Sequence, residues 1–332
     1  MPSGRRSVTI LSGFLGSGKT TLLRRYLAER AGDDVAIIIN EYGTVGVDHH
    51  LVRMVGEQSV LLLGGCVCCT RREDLARTLR DLLDMEQSGR IIPLRQVVIE
   101  TSGLADPVPV LFTLATDPVL KHHFAAAAVV ITLDALNAAA QIEHQPEVRK
   151  QIVAADVVVI TKPDLVGREQ VAQLRIRARQ LNPTACIVVS SLGDGFDVLT
   201  PRSARELPTV QRKEADGRYE RHPEVQAASL GFTAPLDWPA FSIWLGMLLH
   251  ARGPDVLRIK GLLDIGDAGP VVLNVAQHVV HPPEHLGAWP QAERRSYLTF
   301  ITRRIDPARI ALSLETFQYA GGRTDLRVTR LA

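Results

Sequence analysis

The 332-residue chain is 46% hydrophobic and 22% charged, enough apolar material for one large or two ordinary globular cores, which excludes a disordered or fibrous chain. Its 38 Lys and Arg against 36 Asp and Glu leave a net charge of +2, so the balance points to neither nucleic acid nor an anionic membrane as a partner. Four cysteines, three of them within residues 66–69, exclude the spread disulfide framework of a secreted scaffold. No run approaches the ~18 to 20 apolar residues that span a bilayer, and the apolar start SVTILSGFLGSG is too short and glycine-broken for a signal peptide, so a cytoplasmic setting is expected.

The first strand, SVTIL, runs into Gly13-Phe-Leu-Gly16-Ser17-Gly18-Lys19-Thr20, which matches G-x-x-x-x-G-K-[ST] at every fixed position and opens the helix TTLLRRYLAER. Glycines let successive N–H groups and the helix N-terminus face an anion, and Lys19 adds a charge for the β and γ phosphates. The Thr20 hydroxyl is the expected magnesium ligand, with Ser17 and Thr21 beside it in the same cradle. A second strand, VAIII at 35–39, leads into Asn40-Glu41-Tyr-Gly-Thr-Val-Gly-Val-Asp48, where a GTPase switch would stand. Glu41 and Asp48 are its candidate carboxylates, for metal or for the attacking water, while the following His49 and His50 read best as a surface pair.

A third run, SVLLL, ends in Gly64-Gly65 and then Cys66-Val-Cys68-Cys69. Thr70-Arg-Arg-Glu73 before Leu75, Leu79, Leu82 and Leu83 has the form of a capping box in front of an amphipathic helix, with Thr70 as the cap. The thiols therefore precede a helix N-terminus with Arg71 and Arg72 close by, a setting that favours the thiolate. From the residues alone three uses stay open: a Cys66/Cys68 redox pair, a structural zinc site, and transient coordination of a soft or borderline ion by two or three thiolates.

QVVI ends in Glu100, an acid at a strand end where a P-loop needs its second magnesium partner, and Gly103 in the following TSGLADP can bring a backbone N–H close to a γ-phosphate. After AAVVITL, the strand DVVVI closes on Thr161-Lys162-Pro163-Asp164, one residue away from N-K-x-D. In that pattern the carboxylate accepts from the guanine N1–H and exocyclic amine, so Asp164 argues for guanine. Thr161 in place of asparagine lacks the amide and leaves the strictness of GTP over ATP open. With ACIVVS these continuous apolar strands, alternating with helices, predict an α/β fold with a mainly parallel sheet covered on both faces.

The expected domains are residues 1–200, a polar linker at 201–224, and a smaller α+β domain at 225–332. In the last, a strand (VQAASLGF) and a helix (DWPAFSIWLGMLLHA) precede strands LRIKGLLDI, VVLNVAQHVV and RSYLTFITRR and the helix DPARIALSLETF.

Taken together, GFLGSGKTTLL, NEYGTVGVD, GGCVCC, ETSGLADP and TKPD, in this order, resemble the CobW-like P-loop GTPases, a family that includes cobalamin-synthesis CobW proteins, nitrile-hydratase activators and zinc-regulated metallochaperones. LRIKGLLDI, VAQHVVH, GAWP and SYLTFITRRID look like that family's C-terminal domain. The resemblance implies a GTPase that binds a transition metal at Cys66, Cys68 and Cys69 and delivers it to a client metalloprotein. By position, Gly16, Gly18, Lys19 and Thr20 hold phosphates and magnesium, Thr161, Lys162 and Asp164 face guanine, and Glu41 and Glu100 belong to the switch and the magnesium shell. Thiolates suit zinc, with cobalt and iron as other candidates. The resemblance leaves a homodimer open, and the linker, with only His222, lacks the histidine-rich stretch of many members. An activator that remodels a metalloenzyme without carrying metal is the main alternative, and a nucleotide-dependent phosphotransferase a third.

Overall fold

Runs that are apolar at every position can only be buried on both faces, and the strands they form are. In a computed structural model, which describes residues 4–29, 34–39, 60–63, 72–190, 198–199, 225–266, 269–290 and 294–331, β2 (Val35–Ile39), β4 (Gln96–Glu100) and β6 (Val157–Thr161) have no exposed position. With β1 (Arg6–Gly13), β3 (Val60–Leu63), β5 (Phe124–Asp134) and β7 (Cys186–Val189) they build a seven-stranded sheet in the order β3-β2-β4-β1-β5-β6-β7. Every pairing is parallel, so the mainly parallel sheet of the sequence reading is wholly so.

Parallel neighbours need crossovers, and helices supply them: α1 (Lys19–Glu29), α2 (Arg72–Gln87), α3 (Val108–Thr116), α4 (Leu120–His123), α5 (Ala138–His144), α6 (Pro146–Ala154) and α7 (Arg168–Leu181). The chain runs outward from β1 to β2 and β3, returns to β4 beside β1, and continues on the other side of β1 with β5. Such a reversal of strand order opens a crevice at the carboxyl ends of the strands, where α/β sheets bind ligands.

Packing follows the predicted stripes. Leu22, Leu23, Tyr26 and Leu27 of α1 join Ile37, Val98, Val130 and Val159 in one buried cluster. On α2 the stripe Leu75, Leu79, Leu82 and Leu83 is buried, each side chain worth roughly 2 kcal/mol of apolar transfer. Arg6 and Glu86 pair across the edge of this helix, and Glu86 also accepts the Leu94 amide at 3.3 Å. Thr70, the predicted cap, lies outside the described residues, as does the linker at 201–224.

The second compact unit is antiparallel. Its sheet runs β11 (Val279–Val280), β10 (Pro270–Ala276), β9 (Val256–Asp264), β13 (Ser296–Thr302), β8 (Gln226–Phe232), β14 (Val328–Arg330), with β12 (Glu284–His285) also paired to β10. VVLNVAQHVV, expected as one strand, is a hairpin: Gln277 takes a left-handed φ of 52°, and Ala276 pairs with Val279 across the turn. Helices α8 (Trp238–Arg252) and α9 (Pro307–Ala320) each start at an aspartate cap, Asp237 accepting from Ala240 N at 2.8 Å and Asp306 from Ala308 N at 2.9 Å. Phe241, Trp244 and Phe300 form the aromatic centre of this unit, Trp244 meeting Phe300 edge-on at 6.2 Å. Gln318, fully buried, holds Asp237 through both backbone groups at 2.7 and 3.1 Å and so locks α9 to the start of α8.

Candidate functional site

Strand β1 ends at Gly13, whose φ of 139° no L side chain adopts comfortably, and a Cβ there would sit 2.4 Å from the Thr132 carbonyl. The loop that follows turns through two more positive-φ glycines, Gly16 and Gly18, into α1. Lys19 lies back across this loop, its Nζ donating to the carbonyls of Gly13 at 2.9 Å and Phe14 at 3.3 Å, with only 7% of its surface exposed. The curled backbone, the helix N-terminus and this ammonium converge as an anion cradle requires. Of the other predicted cradle residues, Ser17 turns its hydroxyl inward to Thr132 Oγ1 at 2.6 Å and donates its amide to Phe14 O at 3.1 Å, and Thr21 is exposed on the first turn of α1.

Glu100 closes β4 beside β1, in register with Leu11, and is 1% exposed. Thr20 Oγ1 donates to Glu100 Oε1 at 2.9 Å. A hydroxyl and a carboxylate held together at the phosphate end are the oxygen donors that a hard cation takes, so this pair fits magnesium. The turn after Glu100 folds onto the loop: Thr101 N donates to Leu11 O at 2.9 Å, and a Cβ on Gly103 would meet Leu15 N at 2.7 Å. Gln151 of α6, 1% exposed, holds that turn from behind by donating to the carbonyls of Gly103 at 3.2 Å and Ala105 at 3.0 Å.

On the other side of the loop, Thr161 at the end of β6 donates its hydroxyl to Ser17 O at 2.7 Å. Lys162, in the left-handed region at φ 54°, donates to Gly16 O at 2.8 Å and to Asp134 Oδ2 at 2.9 Å. Because a trans peptide is planar, drawing the Ser17 carbonyl toward Thr161 turns the Gly18 N–H the opposite way. Asp164 stands exposed on the short 3-10 turn Pro163–Leu165, free to meet a base edge. Asp134 is 2% exposed; burial alone would raise its pKa, but hydrogen bonds from Lys162, Asn137 and the Leu136 amide outweigh it and hold the carboxyl below its usual range.

The structure thus brings Gly13, Gly16, Ser17, Gly18, Lys19, Thr20, Glu100, Gly103, Thr161 and Lys162 to one edge of the sheet, with Asp164 on the turn that follows them. Glu41, Asp48, Cys66, Cys68 and Cys69 lie outside the described residues. Their flanks are defined: Ile39 pairs with both Leu63 and Glu100, so the chain leaves β2 and β3 for residues 40 and 64 at the same level as Glu100. Among the described residues no group of three or more His, Cys, Asp or Glu could hold a metal ion. Two side chains of the site went unread in the sequence. Asp134 carries the same signal as Glu100, an acid that closes an apolar strand; Gln151, mid-helix, carries none.

Comparison with known proteins agrees with this geometry. Residues 7–189 match the CobW/HypB/UreG nucleotide-binding domain and residues 225–318 the cobalamin synthesis protein CobW C-terminal domain. The chain is 37% identical over 264 residues to the zinc chaperone YjiA of Escherichia coli, covering 77% of this chain and 81% of that one. It is 29% identical to the zinc chaperone CobW of Pseudomonas aeruginosa, covering 93% and 90%. The crystal structure of Zn(II)-bound YjiA GTPase from E. coli superposes with a TM-score of 0.68 at 27% identity, over 95% of this chain and 99% of that one.

Proposed function

The chain belongs to the CobW/HypB/UreG family and is a P-loop GTPase; on that premise we propose that it is a zinc chaperone, binding zinc as cargo at Cys66, Cys68 and Cys69 and passing it to a client metalloprotein under control of its nucleotide. The names of its relatives support zinc over cobalt or iron. The observation that carries the gating is the strand register: Ile39 lies between Leu63 and Glu100, so the segments that hold the switch acids and the thiols start beside the magnesium end of the phosphate cradle.

In this reading Lys19 and the loop amides hold the β and γ phosphates, and Asp164 accepts from guanine. Thr20 and Glu100 would hold magnesium, which screens the charge that develops on the phosphates. Glu41 or Asp48 orients the attacking water. Hydrolysis then alters the contacts of Gly103 and the switch with the γ position, and zinc is released as they relax. A cytoplasmic setting suits reduced thiols, and no helix among the described residues is long and apolar enough to cross a membrane.

Four exposed leucines, Leu15, Leu104, Leu136 and Leu165, lie on the segments that follow β1, β4, β5 and β6. They give this edge an apolar rim suited to a protein partner, whether client or second copy. A ligand shifts an equilibrium only through differential affinity, so zinc affinity is to be titrated with GDP and with a non-hydrolysable GTP analogue, with cobalt thiolate absorption as a parallel readout. A difference of tenfold or more is expected, on the order of typical coupling energies; equal affinities would end the gating proposal.

A further inference from the structure

We propose that Asp134 is a positioning residue of the nucleotide site, a buried carboxylate that holds Lys162 on the Gly16 carbonyl and so couples the base-recognition turn to the phosphate loop. This rests on the reading of Thr161–Asp164 as the guanine-facing turn.

Asp134 closes β5 in direct register with Thr161 of β6, and the Ala135 amide donates to the Thr161 carbonyl at 3.0 Å. Its own loop fixes the carboxylate: Oδ1 accepts the Leu136 amide at 2.9 Å and Oδ2 accepts Asn137 Nδ2 at 3.0 Å. Lys162 Nζ then meets Oδ2 at 2.9 Å, at a side chain that is 2% exposed. A carboxylate so enclosed does not wander, unlike a surface ion pair.

Lys162 itself is less confined, with 39% of its side chain exposed and a left-handed backbone at φ 54° and ψ 39°. An L residue keeps that conformation only where its surroundings hold it, and such residues gather at functional sites. Two side-chain contacts hold it here, to Asp134 Oδ2 and Gly16 O, beside the bond its own carbonyl accepts from the Leu165 amide at 3.2 Å. The same ammonium therefore links the turn that presents Asp164 with the peptide that leads into Ser17 and Gly18. Without Asp134, an ammonium that is already part-solvated moves into water, the Gly16 carbonyl loses its bond to Lys162, and the left-handed turn keeps only its backbone bonds. Asp134 needs no contact with nucleotide for this; it acts through Lys162.

The test is a double-mutant cycle on the full chain with Asp134→Ala, Lys162→Ala and the pair, reading fluorescent-GDP affinity, KM and kcat for GTP, and Tm. Each single change is expected to weaken GDP binding and raise KM about tenfold, with kcat reduced less than about threefold, and the pair is expected to be no worse than either single. Asp134→Asn, which keeps an oxygen acceptor, falls between wild type and Asp134→Ala and replaces the latter in the cycle should it fail to fold. Multiplication of the two effects to about a hundredfold in the pair overturns the proposal, as does a lowered Tm with unchanged affinity, the mark of a carboxylate that only ties its own loop. Equal wild-type affinity for GDP and ADP would instead refute guanine recognition at Asp164, and the cycle still reads the Asp134–Lys162 coupling on either nucleotide.

Discussion

Replacing Gly103 by alanine probes how closely the turn after β4 must approach the phosphate loop. The added Cβ would lie 2.6 Å from Leu15 Cδ2, 2.7 Å from Leu15 N and 2.9 Å from Leu15 Cα. The leucine side chain can rotate away, but its backbone cannot. To restore an ordinary contact of 3.4 Å the turn must retreat by 3.4 − 2.7, about 0.7 Å. Gln151 opposes that movement by holding the carbonyls of Gly103 and Ala105. Overpacking of this kind costs about 1–3 kcal/mol, which for a unit of this size lowers Tm by roughly 2–12 °C. The larger effect falls on chemistry, because a near-attack geometry tolerates little displacement: kcat for GTP is expected to fall on the order of 10²-fold, with GDP affinity changed far less. Gly167→Ala, where a Cβ meets nothing within 4 Å, is the control and leaves both quantities alone. Scanning fluorimetry and single-turnover GTP hydrolysis measure them. A Gly103→Ala protein with wild-type Tm and wild-type hydrolysis would show that the turn does not seat against the loop as described.

Three further outcomes are expected. Changing Cys66, Cys68 and Cys69 together to serine abolishes stoichiometric zinc binding and client activation; activation that survives in the triple variant means the protein works on its client without carrying metal. Asp164→Asn lowers the GTP-over-ATP preference on the order of 10²-fold in kcat/KM, since a site built to accept guanine donors then lacks its charge; an unchanged ratio places base recognition elsewhere. The third concerns acid stability. Burial raises the pKa of Glu86, but the Arg6 hydrogen bond and charge and the Leu94 amide more than offset this and hold it below its usual 4.5. A depressed carboxylate stabilises the fold above the unfolded pKa and loses that contribution as pH falls through the folded one. Glu86→Gln should therefore cost about 1 kcal/mol at neutral pH, with denaturant curves of variant and wild type converging below pH 4.5 rather than running parallel.

What could be read in the sequence was whatever a local pattern dictates. Gly13 to Thr20 announces itself because the curl, the charge and the hydroxyl lie within one turn of chain, and Glu100 because an acid after QVVI has nowhere to go but the strand end. The sequence at Thr161 shows only a missing amide, whereas in the fold its hydroxyl has a task of its own, holding the Ser17 carbonyl. Asp134 and Gln151 depend on strand order: each matters only because β5 lies beside β6, or α6 behind the turn after β4, and neither adjacency is written in the residues nearby. Gln277 shows the converse failure, where apolar residues on both sides hid a turn that a left-handed glutamine makes possible.

The strand order also divides the work of the site. From β1 outward in one direction lie β4, β2 and β3, whose ends supply Glu100 and lead into the switch and thiol segments; in the other lie β5 and β6, which supply Asp134, Thr161 and Lys162. Under the proposed function, base and γ-phosphate therefore act on opposite sides of the phosphate loop. Loss of the γ-phosphate would then alter contacts on the thiol side, while the base side, tied through Lys162 and Thr161 to Gly16 and Ser17, would keep its hold on GDP. Under the proposed function, GDP should leave zinc affinity within about twofold of the nucleotide-free protein, and only a triphosphate analogue should move it, because only that ligand distinguishes the two states of the thiol side. Isothermal titration of zinc into the nucleotide-free, GDP-bound and analogue-bound protein decides the matter. A shift produced as strongly by GDP as by the analogue would mean that the signal travels from the base or the β-phosphate, and the two sides of the loop would not be separable.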